Sequence, residues 1–282
     1  MIPQFSRVVI RLAIIGGITL FATWLFLQQE PASVLRAETV QSPAFRISET
    51  LNYRIDWQRY TGAGTAQLQV IDRDDFYGAQ AWHFRATIHT AQPIRALYPM
   101  DDQIDSYSLL ADLVSRQYQE HFREFGKPED TDASLVSPGE PSPAGAPRVV
   151  VPPNTRDALS AIYLLRVTDW RRTRELRVPV FDGENVYGMV AKAGPLSTVN
   201  LAIGNYQARE IDIRLLDGSR EVPDEHFKVW LADDLAHTPL LCEAYLSIGM
   251  IRIELTSDTA SVAESGANPV SPRGRSNPRA GN

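Results

Sequence analysis

The sequence predicts a mainly β protein: a large curved antiparallel sheet, or half-barrel, with one main helix packed on its concave face. Two observations carry this prediction. Many short segments between residues 50 and 255 alternate apolar and polar residues with a period of two, as half-buried strands do. Beyond the N-terminus, only residues 153–166 have the spacing of an amphipathic helix. A lone amphipathic helix among antiparallel strands must bury its apolar face against the sheet.

Composition narrows the class of protein. The chain has 282 residues and a hydrophobic fraction of 44%, enough for a domain with a sizeable core. Its net charge of −6 argues against a nucleic-acid partner, because phosphate binding needs concentrated lysine and arginine. The single cysteine, Cys242, excludes an internal disulfide and a cysteine-based zinc site, and its leucine neighbours predict a buried thiol.

Residues 1–28 predict a membrane anchor or a signal segment. No charge lies within residues 12–27, and Arg7 and Arg11 precede them. Extended to residues 8–27, the stretch approaches the roughly 20 residues that span a bilayer, whereas a cleaved signal usually has an apolar region of about 7–15. The positive-inside rule puts the remaining chain outside the cytoplasm. The sequence therefore favours an inner-membrane anchor with an extracytoplasmic domain over a cleaved signal and secretion to the periplasm.

The rest of the chain is expected to form one exported domain with flanking tails. Residues 29–44 predict a linker, and residues 45–257 a single β-rich domain. Residues 126–150 are rich in proline and predict a flexible loop inside that domain. Residues 258–282 are rich in Ser, Pro, Gly and Arg and predict a disordered tail.

The first half of the domain has the pattern of a β-meander. The expected elements are strands at residues 51–57, 68–70, 82–88, 100–109 and 114–125, with a short helical turn at residues 93–97. The last two strands carry a mixed pattern, so a helix over residues 107–125 stays open as the alternative.

The helix comes next. Asn154 or Thr155 can cap its start, and Asp157 lies in the first turn, where a carboxylate suits the helix dipole. One face of the helix carries Leu159, Ile162, Tyr163 and Arg166. This face is expected to pack on the sheet.

Strands resume after the helix. They are expected at residues 175–181, 185–191, 196–201, 206–216, 227–231, 240–247 and 250–255. The pairs Asp182-Gly183 and Asp217-Gly218 predict tight hairpin turns. The whole domain is thus expected to contain about ten to twelve antiparallel strands.

Several blocks of sequence resemble a known family when taken together. They are residues 49–53, 157–166, 229–234 and 248–255. In order and spacing they are similar to the exported bacterial proteins of domain-of-unknown-function family 3108, over about residues 45–257. The resemblance implies an exported, mostly antiparallel β domain, and it supplies no activity and no catalytic residues. A further likeness of shape is to periplasmic lipoprotein carriers, whose curved sheet holds a hydrophobic ligand behind a helix.

The sequence predicts no catalytic residue, metal or cofactor. Ser160 lies inside the predicted helix, without the strained G-x-S-x-G turn of a hydrolase nucleophile. Asp233, Asp234 and His237 have a spacing that can suit a metal or acid–base site. A turn between strands is the favoured interpretation, because aspartate is common in turns.

Five residues are candidates for contact with an apolar ligand. They are Trp57, Trp82, Tyr163, Arg166 and Trp230. The three tryptophans, on alternating strands, are expected to pack in the core, and lining of an apolar pocket is the remaining option, which is compatible with core packing. The arginine on the apolar helix face is expected to pair with a strand carboxylate, with an anionic ligand as the alternative.

These features predict a non-catalytic envelope protein that binds an apolar ligand in a sheet cavity. The ligand would be a lipid, an acyl chain or a lipidated polypeptide. The first alternative is a cell-envelope assembly module that presents its sheet edge or its proline-rich loop to another protein. The second is a metal-dependent hydrolase that uses the aspartate–histidine trio. The expected partners are accordingly an apolar ligand or an envelope protein, together with the membrane.

Overall fold

The computed structural model describes residues 44–140 and 147–258. The predicted anchor or signal at residues 1–28, nearly all of the linker, and residues 259–282 of the predicted tail lie outside the described residues. In the described part, neither helix combines the length and the hydropathy needed to cross a bilayer.

The described residues form fourteen strands and two helices. The strands are β1 (Thr50–Trp57), β2 (Tyr60–Phe76), β3 (Ala79–Thr90), β4 (Asp101–Leu109), β5 (Ser115–Glu124), β6 (Lys127–Val136), β7 (Arg148–Val150), β8 (Arg156–Asp157), β9 (Glu175–Phe181), β10 (Val186–Leu201), β11 (Gly204–Asp217), β12 (Arg220–Ala232), β13 (Pro239–Leu246) and β14 (Gly249–Asp258). The helices are α1 (Ile94–Leu97) and α2 (Ala158–Val167). The mainly β prediction is confirmed, and residues 107–125 form the end of β4, a turn and β5 rather than the alternative helix.

All these strands belong to one sheet. Their order is β7-β6-β5-β4-β3-β2-β1-β14-β13-β12-β11-β10-β9-β8. Neighbouring strands are antiparallel except for the two edge pairs, β6–β7 and β8–β9, which are parallel. The first strand pairs with the last at the centre, so two meanders are joined through β1 and β14.

The sheet curls until strands near its two edges meet. The backbone N–H of Ser115 in β5 donates to the carbonyl of Thr155, just before β8, at 3.1 Å. Tyr118 of β5 packs edge-to-face on Phe181 of β9, with ring centroids 5.7 Å apart. Helix α2 contacts β3 and β4 on one side and β8 and β9 on the other. The helix therefore lies on the concave face, as predicted.

The helix begins later than the sequence suggested. Asp157 is the N-cap, and its side chain accepts a hydrogen bond from the Ser160 backbone N–H at 2.8 Å. Asn154 has a left-handed φ of 63°, and Thr155 donates its hydroxyl to the carbonyl of Pro152 at 2.6 Å. Both belong to the loop, because pairing of β8 with β9 keeps the chain extended up to the cap.

The segment predicted as a flexible loop, residues 126–150, is partly sheet. Strands β6 and β7 occupy much of it, and Ala133, Leu135 and Val136 are buried. Pro128 lies near the start of β6, a position where a strand tolerates proline. Within this segment, only residues 141–146 fall outside the described part of the chain.

Strand β10 is continuous where the sequence predicted two strands, at residues 185–191 and 196–201. Its register with β11 shifts between Ala193 and Leu196. This β-bulge accommodates Pro195, which has no N–H for the hydrogen-bond ladder. The proline therefore marks a local irregularity rather than the end of a strand.

Candidate functional site

An apolar cavity of about 150 Å³ lies between α2 and the concave face of the sheet. The helix lines it with one face, formed by Ala158, Ala161, Ile162 and Leu165 at the spacing of successive helical turns. Strands from both meanders form the opposite wall, which includes Tyr53, Met189, Leu215, Phe227, Cys242 and Ile253. The cavity thus depends on the curl of the sheet and on the position of the helix.

Several residues of the cavity wall are incompletely buried. Leu68, Ile162, Phe227 and Cys242 all line the cavity, yet each is only half-buried. Apolar side chains that face the interior of a packed domain are normally excluded from water. The cavity is itself partly open to solvent, and these half-buried residues therefore border a side from which a ligand can enter.

The neighbouring face of α2, which carries Tyr163, is fixed by aromatic packing. The ring of Tyr163 stacks on Phe84 of β3, with centroids 3.8 Å apart and an interplanar angle of 11°. Phe45 meets the Tyr163 ring edge-on at 5.1 Å. These contacts bury the tyrosine completely and hold one helix face against the sheet. The cavity therefore has a rigid helical wall.

A buried ion pair anchors the C-terminal end of the helix. Arg166, 1% exposed, pairs with the carboxylate of Glu49, which directly precedes β1. The same guanidinium donates to the carbonyls of Ala44 at 2.6 Å and Ala236 at 3.2 Å. Burial by itself lowers the pKa of Arg166, but the hydrogen bond and charge of Glu49 outweigh it and raise that pKa. The arginine pairs with a carboxylate at the start of a strand, which matches the ion-pair interpretation of the sequence.

A buried hydroxyl network fixes the N-terminal end of the helix. The carboxylate of Asp157 accepts hydrogen bonds from Ser106 at 2.5 Å and from Ser115 at 2.6 Å. Burial raises the pKa of this aspartate despite these donors. Ser160 is fully buried, and its hydroxyl contacts that of Ser115 at 2.7 Å and donates to the Asp157 carbonyl at 3.0 Å. Its role is to complete the cap.

None of the five predicted ligand residues lines the cavity. Trp82 packs edge-to-face on Phe45, with centroids 5.1 Å apart, within the cluster that also holds Tyr163 and Arg166. These three predicted residues therefore lie where the packed face of the helix meets the sheet, Tyr163 and Arg166 on the helix and Trp82 on β3. The sequence pattern identified the helix face that is buried against aromatic side chains, whereas the cavity lies along the neighbouring face.

The two remaining tryptophans lie elsewhere for different reasons. Trp230 is next to inward-facing Val229 on β12 and has the opposite parity, so it lies on the outer face of the sheet. Trp57 is at the end of β1, where its ring N–H donates to the carbonyl of Ile248 at 3.2 Å. On that strand, Tyr53 lines the cavity instead.

The aspartate–histidine trio does not converge on a common point. Asp233 pairs with Arg171 at 3.3 Å, and Asp234 accepts a backbone N–H within its own turn at 3.0 Å. His237 donates from Nδ1 to the carbonyl of Arg166 at 2.7 Å. Across residues 44–140 and 147–258, no group of three or more His, Cys, Asp or Glu side chains could hold a metal ion. The turn interpretation is confirmed.

The cavity has an acidic end that sequence reasoning missed. Asp182 lines the cavity, and the β9–β10 turn holds its carboxylate through the backbone N–H groups of Glu184 at 2.8 Å and Asn185 at 2.6 Å. Glu225 of β12 is 5% exposed, and burial and the nearby charge of Asp182 raise its pKa to about 7. It shares the parity of Phe227, so extending the alternation back by two residues from Phe227 is the signal that could have revealed an inward acid.

Comparisons with known proteins support the family resemblance. The model of the family described as "Protein of unknown function (DUF3108)" matches residues 52–256. No curated protein matches the chain.

Three solved structures have some likeness to this chain. A beta-barrel-like protein of domain of unknown function DUF1849 from Brucella abortus is 10% identical, with 75% of this chain and 97% of that chain covered and a TM-score of 0.48. A candidate lipoprotein from Parabacteroides distasonis is 8% identical, with 76% and 95% covered and a TM-score of 0.36. A candidate exported protein with a YmcC-like fold from Bacteroides fragilis is 6% identical, with 76% and 96% covered and a TM-score of 0.33.

Proposed function

The chain belongs to the DUF3108 family of proteins of unknown function, and from that premise we propose that it binds an apolar ligand in the cavity between α2 and the sheet. The ligand is a lipid, an acyl chain or a lipidated polypeptide. The site of action is the bacterial envelope, outside the cytoplasm. The uncharged stretch at residues 12–27, preceded by Arg7 and Arg11, supports this location.

The observation that carries the proposal is the partly open, apolar wall of the cavity. Burial of apolar ligand surface contributes about 25 cal/mol per Å². A volume of about 150 Å³ is close to that of an engineered protein cavity that holds benzene or xenon. The buried part of the ligand is therefore an aromatic ring or the end of an acyl chain, and the rest leaves through the open side.

Cys242 makes the proposal testable without an introduced cysteine, because it is the only cysteine in the chain and lines the cavity. Burial raises the pKa of its thiol to about 12, so its reaction with methyl methanethiosulfonate is slow and must be compared at one pH. We expect 1-octanol, an uncharged apolar probe, to slow the modification further and to saturate. The rate is measured by mass spectrometry of the intact chain in lipid nanodiscs.

A matched pair of variants locates the octanol. Ile162 lines the cavity, whereas Leu164 is equally half-buried on the same helix and does not. Ile162→Trp fills the open side and is expected to weaken protection by about tenfold, or about 1.4 kcal/mol. Leu164→Trp adds the same ring elsewhere and is expected to leave protection unchanged. Absence of protection in the natural chain, or equal loss in both variants, contradicts the proposal and favours the assembly-module alternative.

A further inference from the structure

A polar surface groove of about 740 Å³ lies between the β11–β12 hairpin and the β13–β14 turn. Its volume is within the range of roughly 300–1,000 Å³ that is typical of small-molecule sites. The ionisable side chains along it are Arg214, Glu221, Glu225, His226 and Tyr245. Glu225 lines the groove and lies two residues from Phe227 on the same face of β12, and Phe227 lines the apolar cavity, so Glu225 lies between the groove and the cavity.

The other ionisable groups of the groove have partners within the fold. Arg214 pairs with Glu221 at 2.9 Å. His226 pairs with Asp212 through Nε2 at 2.7 Å. The hydroxyl of Tyr245 donates to the carboxylate two residues before it on β13 at 2.6 Å. Their hydrogen-bonding capacity is therefore used in holding the groove together.

The carboxylate of Glu225 differs from these groups because one of its oxygens has no such partner in the described part of the chain. It is 5% exposed, and its Oε1 is buried and accepts no hydrogen bond from any residue in the described ranges. Buried polar atoms in folded proteins almost always have a partner, because an unpaired one loses its hydration without compensation. The charge that acts on this carboxylate, that of Asp182, has the same sign and cannot compensate it. The missing partner is a hydrogen-bond donor.

We propose that Glu225 recognises the ammonium head of an amphiphile, a primary amine on an apolar chain, whose tail occupies the cavity. This inference rests on the proposed function and adds the class of head group. An ammonium donates charge-assisted hydrogen bonds to a carboxylate. A fatty-acid carboxylate in the same place meets two acidic groups of like charge, which disfavours it. The head lies in the groove, and Glu225 marks the point where head and tail join.

The experiment compares three probes that share a six-carbon tail: hexylamine, 1-hexanol and hexanoate. Binding to the full chain in lipid nanodiscs is measured by equilibrium dialysis at pH 8, with empty nanodiscs as the blank. We expect hexylamine to bind about tenfold more tightly than 1-hexanol, because the ammonium donates to the Glu225 carboxylate as a charged group whereas the hexanol hydroxyl donates as a neutral one. Hexanoate is expected to bind most weakly.

The chain offers a matched control outside the groove. Glu225→Gln is expected to bring hexylamine to within about threefold of 1-hexanol, since the amide carries no charge. Glu175→Gln makes the same chemical change at an exposed residue of β9 that pairs with Arg177 and lines neither the groove nor the cavity. This control is expected to keep the preference for the amine. Circular dichroism of both variants verifies that they are folded.

A pH series separates recognition by Glu225 from general attraction of an amine to a chain of net charge −6. Burial raises the pKa of Glu225 to about 7, so the preference for hexylamine should fall between pH 8 and pH 6 as the carboxylate is protonated. Among the other titratable or charged groups, Asp182 acts on Glu225, and Arg214, Glu221, His226 and Tyr245 line the same groove. The pH dependence should disappear in Glu225→Gln, and its persistence there would assign it to one of these groups and overturn the inference.

If the three probes bind equally to the natural chain, or if Glu225→Gln keeps the preference, the head-group inference is wrong while apolar binding in the cavity stands. If no probe binds, the proposed function fails together with the inference.

Discussion

Glu225 makes the stability of the protein depend on pH. Burial and the charge of Asp182 raise its pKa from an ordinary value of 4.5 to about 7, so the folded chain keeps a proton that the unfolded chain loses across this window. The free energy of unfolding therefore falls as the pH rises from about 4.5 to about 7. Glu225→Gln cannot ionise, and we expect it to raise that free energy by about 2 kcal/mol at pH 8 and by much less at pH 5.

Urea denaturation at the two pH values measures this difference. Glu221→Gln is the control, because Glu221 is exposed and ion-paired and is expected to respond similarly at both. An equal gain from Glu225→Gln at pH 5 and pH 8 would show that the substitution acts through packing and not through ionisation.

The ion pair of Arg166 and Glu49 is expected to behave as a unit. Arg166→Met leaves a buried carboxylate without its partner, which typically costs about 3–5 kcal/mol. Glu49→Met leaves the buried guanidinium unpaired and should cost a similar amount. The double variant removes both charges and should cost clearly less than the sum of the two. A double-mutant cycle in urea measures the coupling, and additive losses would contradict it.

At the scale of single residues, the sequence predicted that Arg166 needs a carboxylate partner but not which residue supplies it. Arg166 shares a helix face with apolar residues, so a buried arginine required a carboxylate. Glu49 lies 117 residues away, and its position opposite the helix depends on how the meander folds back. For a similar reason, the choice of aromatic residues as ligand candidates identified the packed face around Tyr163 but not the cavity along Ala158 and Ile162. Local periodicity carries no information about where packing between distant segments is incomplete.

The N-cap of α2 is expected to contribute to the stability of the protein through contacts at the start of the helix. Asp157→Ala removes the N-cap and leaves the buried hydroxyls of Ser106 and Ser115 without their acceptor. We expect a loss of about 2 kcal/mol or more in the free energy of unfolding, measured in urea. Asn154→Gly is the control, because its φ of 63° suits glycine and its side chain lies outside the cap. A larger loss from Asn154→Gly than from Asp157→Ala would contradict the assignment of the cap.

Helices and strands were predictable from the sequence where the periodic spacing of apolar residues was uninterrupted. The helix was found from its period, but three capping residue types within four positions left its start open, and the pairing of β8 decided it. Strand β10 was split at Pro195, since a bulge cannot be distinguished from a strand end without its partner strand. Strand β6 was missed because its charged and proline-containing first half hides the apolar second half around Leu135.

The whole molecule has a topology in which neither meander is complete alone. The first strand pairs with the last, so the junction of β1 and β14 lies at the centre of the sheet. Helix α2, from the middle of the chain, packs on β3 and β4 and also lines the cavity with residues of β10–β14. Both halves of the sheet therefore share one core through the helix and the central pair.

This topology predicts that the domain unfolds as one cooperative unit. A chain that ends at residue 248 lacks β14 and with it the buried Ile251, Ile253 and Leu255, so the central pairing and one wall of the cavity are lost together. We expect it to show no cooperative urea transition by far-UV circular dichroism or tryptophan fluorescence. A chain that ends at residue 258 is the matched control, because it keeps all fourteen strands of the described residues and removes only residues predicted to be a disordered tail. It should unfold in one transition at which both signals coincide, since tryptophans lie in both meanders. A cooperative transition of reduced size in the shorter chain would instead mean that one meander folds without the other.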